Sequence, residues 1–148
     1  MITMQIKRMG IMLKNLQELS DLAGFLPLVH HYKADGYRFI TITAVDNSES
    51  NEFDIYYHFD KKLELAQIKV SVPYSVSLPS ISYIYSSAFL VENEVKELFG
   101  VNITDILIDY NGKLLLSDGI MAPQGSGNLI IERLDGEPKK NVEGGTDA

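Results

Sequence analysis

The stretch FDIYYHF (53–59) alternates strictly, with Phe53, Ile55, Tyr57 and Phe59 on one side and Asp54, Tyr56 and His58 on the other. LAQIKVSV (65–72) repeats the pattern with Ala66, Ile68, Val70 and Val72. A period of two is the signature of a strand with one buried face. YRFITITAV (37–45) is rich in β-branched and aromatic residues, and the polar DNSESNE that follows reads as a connection. Short links between three such segments predict an antiparallel meander covered on one face. Ahead of it, Leu22, Phe25, Leu26, Val29 and Tyr32 recur at helical spacing, with Ser20 as N-cap and Gly36 as the stop. Pro27 requires either a kink or a later start for this helix.

VPYSVSLPSIS (72–82) holds two prolines and no lasting period, so it reads as a crossover. It leads into VENEVKELFGVNI (91–103), where helical spacing puts Ala88, Val91, Val95, Leu98 and Phe99 on one stripe and Gly100 at the C-cap. ITDILIDYNGKLLL (103–116) carries Asn111-Gly112, which predicts a small terminal hairpin. The fold class expected is α+β: an antiparallel β-meander packed with helices, in a single domain with an extended C-terminal tail. The expected division is an N-terminal segment of uncertain order (1–19), a domain over 20–118, and an extended arm with a disordered tail over 119–148.

Composition narrows the chemistry. The 148 residues contain no cysteine, which removes disulfides, thiolate nucleophiles and Cys-ligated iron–sulfur clusters. A formal net charge of −7 without clustered basic residues argues against a nucleic-acid partner. No run of about 18 apolar residues is present, so no direct membrane insertion is expected. MITMQIKRMGIMLKNL at the start lacks the apolar core and cleavage site of a signal peptide, which makes the cytoplasm the expected compartment.

Three glutamates on the second helix raise the question of a carboxylate site. Residues about 100° apart place Glu92 and Glu94 on opposite margins of the apolar stripe and Glu97 nearly opposite it. Such carboxylates do not converge, whereas paired acid–base chemistry needs two within roughly 5–10 Å. Glu92 stands four residues before Lys96, the order that favours a helical ion pair. Phe89 and Leu90 fall on the outward side beside Glu94 and Glu97, so these four are the interface candidates. His30, His31 and His58 do not share a face, and Gly125-Ser126-Gly127 lacks the context of a phosphate loop. No catalytic, cofactor-binding or metal-binding residue is assigned. A carboxylate hydrolase would instead need Glu92 or Glu94 beside an acid such as Asp54 or Asp109, and a homodimeric binding module would need a self-complementary patch at Phe89 and Leu90.

PSISYIYSSAFLVENEVKELFGVNI (79–103) resembles the signature segment of the thirty-kilodalton subunit of respiratory complex I. Pro79, Ser80, Ile81, Ala88, Glu92, Glu94, Glu97, Phe99 and Gly100 match that pattern in order, and the likeness spans about residues 20–118. Asn93 stands where the complex I pattern has arginine, and the basic segment after Phe-Gly is replaced by IDYNGKLLL. These departures are most similar to the corresponding small subunit of energy-converting (Ech-type) membrane-bound nickel–iron hydrogenases, with the thirty-kilodalton subunit of an NADH:quinone oxidoreductase as the neighbouring alternative. The resemblance implies a non-catalytic accessory subunit of a hydrophilic arm. Its partners would be the hydrogenase large subunit and the iron–sulfur small subunit, which would carry the nickel–iron centre and the clusters, and indirectly the ion-translocating membrane subunits. The chain itself would hold no cofactor and would sit peripherally on the cytoplasmic face of the membrane.

Overall fold

Residues 15–117 are described by the computed structural model. Three ten-residue strands, β2 (Arg38–Asn47), β3 (Glu52–Lys61) and β4 (Glu64–Pro73), form the expected antiparallel meander. A short strand, β1 (Leu16–Leu19), pairs in parallel with β4, giving a mixed sheet of order β1-β4-β3-β2. Sequence patterning does not mark this strand, because LQEL does not alternate: its two leucines stand at the ends and its two polar residues between them.

The buried face of the sheet is the one the alternation predicted. Ile55, Tyr57, Phe59 and Ile68 have no exposed surface, and Ala66, Val70 and Val72 have almost none. Helix α1 (Phe25–Ala34) lies on this face through Phe25, Val29 and Tyr32. The Phe25 and Tyr57 rings are 4.9 Å apart and those of Tyr32 and Phe59 5.1 Å, separations at which aromatic pairs attract beyond their burial. The 3-10 turn Leu22–Gly24 precedes α1, capped by the Asp21 carboxylate on the Ala23 N–H rather than by Ser20. Pro27 therefore stands in the first turn of the helix, where its missing N–H has no partner to lose, and no kink is needed.

After β4 the chain crosses through β5 (Leu78–Pro79) into helix α2 (Ala88–Phe99), then returns through β6 (Ile103–Thr104), which pairs in parallel with β5. Gly100 ends α2 in the left-handed region at φ +79°, its N–H on the Lys96 carbonyl, as the sequence predicts. The expected terminal hairpin is absent. Asn111 and Gly112 adopt the positive φ of a tight turn, at +53° and +73°, but no ladder flanks them. The segment from Asp105 to Leu116 runs instead as a strap against α2, because helix side chains take its backbone groups. The 119–148 arm and the start of the 1–19 segment fall outside the described residues.

Candidate functional site

Helix α2 is covered on more than one side, and its polar residues hold the covering segments. Glu92 has no exposed surface. Its Oε2 accepts the Ser80 hydroxyl at 2.5 Å and its Oε1 the Ile81 N–H at 2.7 Å. Ser80 Oγ lies 2.6 Å from Ser82 Oγ, which accepts the Leu107 N–H at 2.8 Å. The donors thus run in one direction, from Leu107 through Ser82 and Ser80 to the carboxylate. Burial pushes the Glu92 carboxyl up from the usual glutamate value, against the lowering effect of the hydrogen bonds from the Ser80 hydroxyl and the Ile81 N–H.

The outer row of α2 binds the strap. Asn93 Nδ2 donates to the carbonyls of Phe89 and Ile108, both at 2.7 Å, while its Oδ1 accepts the Tyr110 N–H at 2.8 Å. Lys96 Nζ meets Asp109 at 2.6 Å, and this ammonium holds the Asp109 carboxyl below its usual range. Glu97, only 5% exposed, accepts the N–H groups of Leu114, Leu115 and Leu116. Three backbone donors on one carboxylate form charge-assisted bonds, about twice as strong as neutral ones.

The sequence-derived candidates therefore divide. Glu92 faces the core instead of its margin and makes no pair with Lys96, which turns to Asp109 instead. Glu97 is turned inward beneath the strap. Phe89 is half-buried against the core rather than outward, whereas Leu90 is 49% exposed and Glu94 is exposed. The arrangement a hydrolase would require is not formed: Asp54 bonds Ser71 and Lys69 on the open face of the sheet, Asp109 bonds Lys96, and neither lies beside Glu92. Among the described residues no group of three His, Asp or Glu side chains is close enough to hold a metal ion. None of the described helices is long and apolar enough to cross a membrane.

The strap presents four apolar side chains outward, Leu107, Ile108, Tyr110 and Leu115, each 39–57% exposed, among the exposed polar residues Asp105, Asn111 and Lys113. Leu90, one helical turn before Asn93, is exposed as well. Asn93, Lys96, Ser82 and Asp109 were not singled out by sequence reasoning as parts of one scaffold. The available signal was Asn93, an unfavourable residue inside a helix unless its amide has a dedicated role.

The sequence matches, over residues 17–124, the family described as "Respiratory-chain NADH dehydrogenase, 30 Kd subunit". This chain belongs to that family. No curated protein matches it. Among solved structures, a chain from the membrane-bound sulfane sulfur reductase (MBS), an archaeal respiratory membrane complex, is similar in fold, with 19% identity, 96% of each chain covered and a TM-score of 0.66. The residues on which the sequence resemblance to the 30 kDa subunit rests lie in the α2 scaffold. Pro79 pairs with Thr104, Ser80 and Ile81 hold Glu92, Glu97 holds the strap, Phe99 packs on the core, and Gly100 turns the chain. Glu94 alone of that set carries an exposed carboxylate.

Proposed function

We propose that this chain is a non-catalytic subunit in the peripheral arm of a membrane-bound respiratory oxidoreductase, docked through the strap and the start of α2 onto the metal-bearing subunits. The observation that carries the reading is the use of the motif carboxylates. Glu92 and Glu97 are consumed in fixing neighbouring backbone, which rigidifies a scaffold that holds Leu107, Ile108, Tyr110 and Leu115 outward. A rigid, preorganised surface lowers the entropic cost of association. Membership of the 30 kDa-subunit family and the fold shared with a chain of an archaeal respiratory membrane complex support the same reading.

Within the family, the reading extends to the ferredoxin-linked nickel–iron hydrogenase branch. The residues that depart from the complex I pattern act as a unit here: Asn93 bonds Ile108 and Tyr110, and Lys96 bonds the Asp109 between them. In this reading the nickel–iron centre and iron–sulfur clusters belong to the large and small partner subunits, and the chain lies peripherally on the cytoplasmic face. A complex I-type quinone reductase is the second reading, favoured by the family match itself.

Purification of the full-length chain from native membranes in mild detergent, followed by metal analysis and identification of co-eluting proteins, tests both. Stoichiometric partners bearing nickel and iron support the hydrogenase branch. Iron without nickel, with quinone reductase activity, moves the chain to the second reading. A chain eluting alone contradicts the proposal.

A further inference from the structure

The outer edge of β2 has no strand partner in the described fold, although α2 packs against this strand. β2 is terminal in the sheet order, so half of its backbone N–H and C=O groups point away from β3. Natural edge strands are blunted by prolines, lysines, bulges or shortness. The register of β2 shifts once, between Phe39 and Thr41, and then runs unbroken from Thr41 to Asn47, a stretch with no proline or lysine. Ile40 and Val45 on this strand are 48% and 45% exposed.

A groove of about 220 Å³ lies between this strand and α2, with Thr41–Ala44 as one wall and Val91, Glu94, Val95 and Phe99 as the other. Thr43 belongs to the open face of the sheet, since its hydroxyl meets the His58 ring, whereas Ile42 belongs to the buried face. The helical wall is one face of α2, at spacings of three and four residues, and is apolar except for Glu94. Among the described residues Glu94 has no ion pair, although Lys96 and Arg38, near the two walls in sequence, are both paired.

We infer that this groove receives an extended segment of another subunit, which adds to the sheet as a strand antiparallel or parallel to β2. Main-chain hydrogen bonds to the edge would supply affinity, and alternate side chains would supply selectivity. The occupant has an apolar side chain directed at Val91, Val95 and Phe99 and a lysine or arginine opposite Glu94. Charge decides against a second copy of this chain: pairing two β2 edges brings together two Glu94 carboxylates and two chains of net −7. The inference rests on the chain being a subunit of a larger assembly, as proposed above.

Hydrogen exchange separates the two claims. Amide exchange across 38–47 is to be measured on the isolated full-length chain and on the purified native complex. The expected result is slowing by about tenfold or more in the complex, with fast edge exchange in the isolated chain. In a complex built with Glu94→Lys the slowing is expected to shrink several-fold, while the isolated variant melts as the wild type does. A complex that assembles yet leaves 38–47 unchanged overturns the inference and leaves the subunit reading standing; failure to find any complex removes both. Protection already present in the isolated chain assigns the edge to this chain's own residues or to a second copy, and overturns the inference. So does protection that Glu94→Lys does not alter.

Discussion

Glu97 and Leu115 lie eighteen residues apart, and the Leu115 N–H points between both oxygens of the Glu97 carboxylate, at 3.0 and 3.1 Å. With Leu114 and Leu116 bonded to the same group, one side chain replaces the ladder that a hairpin would have formed. Removing it leaves three amides without partners under a half-closed strap. Glu97→Ala is expected to cost about 2–3 kcal/mol. Urea denaturation should show a lower midpoint with an unchanged slope, and the amides of 114–116 should exchange faster.

Asn93 performs the equivalent task for the first half of the strap. Asn93→Leu keeps the branched shape of the side chain but strands the Ile108 carbonyl and the Tyr110 N–H, and is expected to cost about 2 kcal/mol. Because Asn93 and Glu97 hold one segment, their combined replacement should cost less than the two single losses together, which a double-mutant cycle measures directly.

Glu92 predicts a pH dependence. Its carboxyl is raised by burial, so the folded state holds the proton more tightly than the unfolded chain does. The favourable contribution is complete below the ordinary glutamate value of 4.5 and is lost as pH climbs through the raised value. Glu92→Gln has no proton to lose. Its stability relative to wild type is therefore expected to improve steadily as pH rises from 4.5 through the raised value, and unfolding midpoints across that range measure it.

His58 predicts the opposite slope. Its ring lies between Thr43 and Gln67, 2.9 Å from each, on the open face of the sheet. Burial pulls its affinity for the proton below the ordinary histidine value of 6.5. The folded state therefore resists protonation, and this contribution, present above 6.5, is lost as pH falls through the depressed value. An NMR titration should place the His58 midpoint below 6.5, and His58→Gln should remove that part of the acid destabilisation.

The meander was legible because each strand buries one face over ten residues, long enough for Phe53–Phe59 and Ala66–Val72 to repeat the alternation. The end of α2 was legible because Gly100 answers a purely local requirement. β1 was not, since Leu16–Leu19 gains its place only by pairing with β4, a partner about fifty residues away in sequence. The strap misled for a related reason. Asn111-Gly112 does form its turn, but local turn chemistry cannot reveal that Glu97 competes for the amides that follow. Helical-wheel reasoning likewise placed Glu92 and Glu97 off the core, because it counts only apolar residues as buried and a carboxylate supplied with donors can be buried too.

The central claim is that the signature carboxylates build the subunit and take no part in the reaction. Its most direct test is to assemble the native complex with Glu92→Gln or Glu97→Gln in this chain and measure turnover per iron in the purified complex. The account predicts a lower yield of assembled complex, with turnover per iron within about twofold of wild type. Normal assembly with turnover reduced about a hundredfold or more, a loss of roughly 2.7 kcal/mol in transition-state stabilisation, would contradict it.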